Sequence, residues 1–161
     1  YWNLALTQEP NYPIVLTNLA TLASSRGDHD TSAKFLERAV YWNPMHAPTL
    51  NNLAYQLAVL GRDLSRSEAL ARRAVDLDPN PNHRDTLGYV LLRQKRWEES
   101  SAILSSIVKD DPDALESWLH LGMARAGSGD TEAARDAFRT VLERSTNANL
   151  VQQAKDELQK L

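Results

Sequence analysis

Residues 115–146 read LESWLHLGMARAGSGDTEAARDAFRTVLERST. The stretch holds two runs of about 12 residues with apolar or small side chains at three- and four-residue steps, Trp118, Leu121 and Gly122 in the first, Ala134, Phe138 and Val141 in the second. That spacing predicts two amphipathic helices. Between them stands Gly129-Asp130. Glycine closes a helix in the left-handed conformation without a side-chain penalty, and aspartate accepts from the free amides that begin the next. Gly122 falls where the two helices must approach closely, and a leucine there would push them apart.

The same marks recur upstream at a period near 34 residues. Leu87-Gly88, Leu53-Ala54 and Leu19-Ala20 repeat Leu121-Gly122. Gly61 and Gly27 repeat Gly129, with Lys95 in that place in the intervening unit. Asp28 and Asp63 follow as Asp130 does; Ser100, Ser67 and Ser32 stand where Ala134 does, and Ile107, Ala74 and Ala39 where Val141 does. The seven prolines fall in four clusters, and Pro10, Pro44, Pro79 and Pro112 are 34, 35 and 33 residues apart. Proline removes a backbone donor and disfavours helix at the residue before it, so each one ends a second helix. A fixed period of this length marks stacked repeats.

The pattern Leu16, Leu19-Ala20, Gly27, Ser32, Phe35-Leu36, Ala39, Pro44 resembles a tetratricopeptide repeat of bacterial type, and it returns in later units. The resemblance implies an all-α solenoid of stacked antiparallel helix pairs, about ten helices in one array. Residues 1–12 would be the second-helix remnant of a preceding repeat, with Trp2 and Ala5 in the places of Leu36 and Ala39. Repeats would follow at 13–46, 47–80, 81–114 and 115–146, and 147–161 would be a C-terminal capping helix. Arg84 and Arg125 depart from the family's apolar or aromatic residues, which suggests looser packing or an arginine whose stem lies along the seam with its head in solvent. A chain that opens in mid-unit reads as a fragment of a longer array, since solenoid units bury their apolar faces on neighbours, while the polar-faced last helix reads as a natural end.

Composition narrows the function. The chain has 161 residues, no cysteine and a formal charge of −3. Disulfides, thiolate metal sites and cysteine nucleophiles are thereby absent. The charge argues against a nucleic-acid or anionic-membrane partner, which needs a concentrated basic surface. No apolar stretch approaches the roughly 20 residues of a membrane helix. His29, His46, His83 and His120 are dispersed, three in expected turns and one on a helix face, and none pairs at a metal-ligand spacing. Exposed turn histidines are the plain reading. There is no Gly-x-Ser-x-Gly elbow and no phosphate loop. The expectation is a non-catalytic protein with no cofactor and no metal; cytoplasm and periplasm both suit it.

Function then falls to the surface. In a stack of helix pairs the first helices line a concave groove. Helical spacing places Thr17, Asn18 and Thr21 there, then Asn51, Asn52 and Tyr55, then Asp85, Thr86 and Tyr89, then Leu119, His120 and Met123. Asparagine amides both donate and accept, so they can pair with an extended peptide backbone of any sequence, while tyrosine and methionine supply adaptable contact area. Asn18 and Asn52 are equivalent, resembling the asparagine ladder of some tetratricopeptide superhelices; Thr86 and His120 break it. Thr17, Asn51, Asp85 and Glu116 stand where chaperone-binding relatives carry a basic carboxylate clamp, so a neutral or basic segment is favoured. The expected role is a scaffold or adaptor for a protein or peptide partner. The alternatives are self-assembly through Trp2, Tyr41, Trp42 and Trp97, and an accessory domain of a larger enzyme or of a bacterial envelope or exopolysaccharide-export protein. Trp97 also has the plainer reading of an aromatic packed on the preceding unit.

Overall fold

The structure is a computed structural model that describes residues 13–161. The expected remnant at 1–12 lies outside the described residues. All regular structure among the described residues is helical: α1 Pro13–Ser25, α2 His29–Trp42, α3 Ala47–Leu60, α4 Leu64–Leu77, α5 Pro81–Arg93, α6 Trp97–Asp110, α7 Leu115–Gly127, α8 Thr131–Arg144 and α9 Ala148–Leu158. The fold is an all-α solenoid of adjacent packed helix pairs. The chain divides between Thr86 and Leu87, within α5, into two compact units.

The turns follow the residues that dictate them. Gly27, Gly61 and Gly129 take φ of 77°, 63° and 85°. Lys95, in the same register, also sits at φ 62°, where its Cβ crowds the following carbonyl. The topology enforces the turn without the glycine. Asp28, Asp63 and Asp130 each cap the next helix, accepting from the backbone N–H of Thr31 at 3.0 Å, Arg66 at 3.2 Å and Ala133 at 3.3 Å. Arg96 begins α6 with no side-chain cap and pairs with Glu99 instead. The second helices end at Trp42, Leu77 and Asp110, two residues before Pro44, Pro79 and Pro112.

In the first unit, α1 packs on α2, α2 on α3 and α3 on α4. Ala20 lets α1 come close to α2, where Leu36 is 1% exposed, and Ala33, Leu53 and Leu57 complete that cluster. Ser67 fastens the next pair by donating to the Ala54 carbonyl at 2.7 Å. In the second unit, Ser100 repeats that bond to the Gly88 carbonyl at 2.8 Å. A Cβ on Gly88 would lie 2.8 Å from Leu104 Cγ, and one on Gly122 would lie 2.5 Å from Phe138 Cε1. These glycines are required by close approach. α9 lays Leu150 and Ala154 onto Phe138 and Val141, and its N-cap Asn147 accepts from Asn149 and Leu150.

Two expectations need correction. Leu119, placed on the groove side by spacing, is 1% exposed in the cluster with Phe138 and Leu150, because α9 covers that side of α7. Trp97 packs on Gly127, at the end of the following first helix: a Cβ there would come within 2.6 Å of the indole. The histidines are not simply exposed turn residues. His83 is 4% exposed inside α5 with Nδ1 2.7 Å from the Asp78 carbonyl, His29 is half-buried, and among the three expected in turns only His46 is exposed. Arg125 is half-buried as its stem position implies, and its guanidinium donates to the Ala133 carbonyl at 3.4 Å.

Candidate functional site

α1 and α3 occupy equivalent places in successive pairs, and two polar links join them. Thr17 Oγ1 lies 3.2 Å from Thr49 Oγ1, which in turn lies 2.7 Å from His46 Nδ1. About two turns further along, Gln56 Nε2 donates to Ser24 Oγ at 2.9 Å. The other end of the Gln56 amide is also held: Oε1 lies 2.8 Å from His29 Nδ1. Gln56 is 4% exposed, and two side chains, Ser24 from α1 and His29 from α2, fix its orientation.

Between the two links the helices leave an open cleft of about 350 Å³. Thr21, Ser24 and Ser25 line its α1 side, Asn52, Tyr55 and Gln56 its α3 side, with Ala20, Ser32 and Leu36 between. No charged side chain lines it. The structure therefore brings together Thr21, Asn52 and Tyr55 of the residues expected in a groove. It adds the serines, Leu36 and Gln56, which spacing along the first helices could not select. Thr17, Asn18 and Asn51 are half-buried on the same two helices. Asn51 Oδ1 is buried without a hydrogen-bond partner, and so is Ser32 Oγ. Buried polar atoms are nearly always paired, so each of these is unusual.

None of the remaining expected residues lines this cleft. Asp85 is half-buried and Thr86 is 6% exposed, on the part of α5 that belongs to the first unit. In the second unit Tyr89 stacks on His120 with centroids 4.7 Å apart. Arg93, absent from the sequence expectation, lies 5.9 Å over the Tyr89 ring and donates to its hydroxyl at 3.2 Å. Its i, i+4 relation to Tyr89 is the signal that could have found it. His120 is 9% exposed and Met123 half-buried.

Helix pairs of this length, closed by left-handed turns and fastened by small residues at one register, define the helical-repeat solenoids. Comparison with curated protein sequences found no match. Sequence profiles described as tetratricopeptide repeat match residues 86–149 and 14–46. The chain belongs to the tetratricopeptide-repeat (TPR) family. Among solved structures it is similar to a thermophilic TPR protein of Thermus thermophilus, with TM-score 0.82, 16% identity, and 92% of this chain and 82% of that chain covered. It is also similar to PilW, a type IV pilus biogenesis factor, with TM-score 0.78, 18% identity and coverage of 98% and 76%. YrrB, described as a TPR protein with an unusual peptide-binding site, aligns with TM-score 0.66, 19% identity and coverage of 99% and 82%. At these identities the likeness shows the fold. No helix among the described residues is long and apolar enough to cross a membrane.

Proposed function

We propose that the chain is a non-catalytic scaffold that captures a peptide or protein segment along the exposed faces of its first helices. Membership of a family of interaction scaffolds supports the broad role. The observation that carries the finer one is the cleft between α1 and α3: a neutral, hydroxyl- and amide-lined recess beside Asn18 and Asn52, with no charge for a catalytic or ionic role. The uncharged lining suits a neutral segment, and half-buried Asp85 on α5 suits a basic flank. The proposed surface on the first unit comprises Thr17, Asn18, Thr21, Asn51, Asn52, Tyr55 and Asp85, with Tyr89 and Met123 proposed on the second; Thr86 and His120, expected with them, are buried and stand outside it.

The test is selection of peptides from a random displayed library on the immobilised chain, followed by fluorescence anisotropy on the enriched sequences. The double substitution Asn52→Ala and Tyr55→Ala should weaken capture at least about tenfold, the effect of losing about 1.4 kcal/mol, while the helical circular-dichroism signal and melting point stay nearly unchanged. Unaltered capture would sink the groove assignment.

A second reading, self-association, is favoured by one observation. Tyr41 and Trp42 are 78% and 52% exposed and stack edge to face, with Met45 also exposed beside them in sequence. Light scattering across a concentration series separates it from peptide capture, since a monomer at every concentration removes it.

A further inference from the structure

Arg73 uses its guanidinium differently from its neighbours on α4. Arg66 and Arg72 pair with the carboxylates of Glu37 and Glu68. Arg73 pairs with no carboxylate among the described residues; its Nη2 donates instead to the thioether sulfur of Met45, at 2.7 Å. A thioether is a weak acceptor, so a charged donor gains little from it. An oxygen added to that sulfur would be polar, and a bond to it from a guanidinium is of the stronger, charge-assisted kind.

The sulfur is also open to reagent. The chain has no cysteine to consume an oxidant, and its two methionines stand in opposite surroundings. Met45, between α2 and α3, is 56% exposed. Met123, on α7, is half-buried against the cluster that contains Leu119, Phe138 and Leu150. Oxidation of side-chain sulfur follows exposure, so Met45 is the favoured target.

We propose that Met45 is a reversible modification site that takes one oxygen from a hydroperoxide, with Arg73 as the positioning residue that receives the new oxygen. A sulfur lone pair attacks one peroxide oxygen and the O–O bond breaks. The proton left on the transferred oxygen passes to the departing hydroxide, giving the sulfoxide and water: sulfur gives up two electrons and the peroxide gains two. The bond from Arg73 strengthens as oxygen arrives, and an interaction stronger in the transition state than before it speeds the step. Sulfoxide reductases restore the thioether. The product sets a polar group close in sequence to exposed Tyr41 and Trp42, where the thioether is apolar. Neither Met45 nor Arg73 belongs to the proposed groove, so this site stands apart from that reading.

The test treats the 161-residue chain with dilute hydrogen peroxide and follows each methionine by peptide mass spectrometry, with Met123 as the reference inside the same molecule. Met45 should gain a single oxygen at least about tenfold faster than Met123, as the difference in exposure predicts. Arg73→Leu keeps an aliphatic stem and removes the donor. It should slow Met45 at least about threefold, the loss of one hydrogen bond from the transition state, and leave the Met123 rate and the helical circular-dichroism signal unchanged. A mixture of the two epimer-specific methionine sulfoxide reductases with a thiol reductant should return Met45 to its starting mass. Equal rates at the two methionines, faster oxidation of Met123, a Met45 rate that Arg73→Leu leaves unchanged or raises, or a Met45 sulfoxide that resists the reductases overturns the proposal.

Discussion

Gly122 and Phe138 form a pair whose geometry can be put to a quantitative test. A Cβ on Gly122 would lie 2.5, 2.7 and 2.9 Å from three atoms of the Phe138 ring, and that ring is 0% exposed, walled in by α9. Gly122→Ala gains about 1 kcal/mol of helix propensity and meets an overpacking cost of about 1–3 kcal/mol. The net is a destabilisation of about 1 kcal/mol, or about 2–4 °C in Tm for a chain of this size. The first helix pair supplies the remedy, because Ala20 packs there against Leu36 in the same register with both side chains buried. Phe138→Leu alone leaves unfilled volume beside Gly122 and costs about 1–2 kcal/mol, below the range for full truncation to alanine. Together the two substitutions rebuild the Ala20–Leu36 arrangement, so the double variant should be more stable than the sum of the single changes predicts by about 1–2 kcal/mol. Urea titrations of all four proteins, followed by ellipticity at 222 nm, measure that coupling. If Gly122→Ala raises the midpoint, or if the two changes add within about 0.5 kcal/mol, the steric account is wrong.

Lys95→Gly should raise stability by about 1 kcal/mol, since it removes a left-handed conformation from a residue with a Cβ; a fall in the thermal midpoint would contradict this. Ser67→Ala should cost about 1 kcal/mol through its lost bond to the Ala54 carbonyl, whereas Ser32→Ala should cost nothing comparable, and parallel melts decide between them. The Thr31 backbone N–H, and after it the Thr31 hydroxyl, hold the Asp28 carboxyl below the usual carboxylate range. A carboxyl whose folded pKa is depressed contributes stability above its unfolded pKa and loses it as pH falls through the folded one. Asp28→Asn should therefore leave the helix cap at neutral pH and flatten the acid limb of a Tm-against-pH curve below about pH 4; an unchanged limb counts against it.

The punctuation of the fold was legible because each mark is a residue with one physical use. Gly27, Gly61 and Gly129 are left-handed where spacing requires it, and Lys95 shows that the register carries the turn even when the residue does not. Gly88 and Gly122 were readable as close approaches for the same reason. The candidate site was less legible. Gln56 is a polar residue one place beyond Tyr55, and nothing in its type distinguishes an amide in solvent from one held by His29 and Ser24 across three helices. Leu119 misled because α7 is apolar on adjoining faces, with Trp118, Leu119, Leu121 and Met123 in succession or nearly so, and only the arrival of α9 decides which of them is covered. The cleft itself depends on Ser32 and Leu36, second-helix residues that a reading confined to the first helices leaves out. The division at Thr86 and Leu87 leaves no trace in an unbroken proline spacing.

One property of the helix-to-helix links has consequences for how the chain acquires its structure. Thr17 to Thr49, Ser24 to Gln56, the Asp30 pair with Arg62 and the bond from Arg144 to the Pro112 carbonyl each span 32 residues, and the serine staples span 12 or 13. None of these links reaches beyond one period. Closing such short loops costs little entropy, and proteins dominated by near-neighbour contacts assemble fast. A helix pair can begin to form as soon as its own few dozen residues have left the ribosome, ahead of the chain that follows.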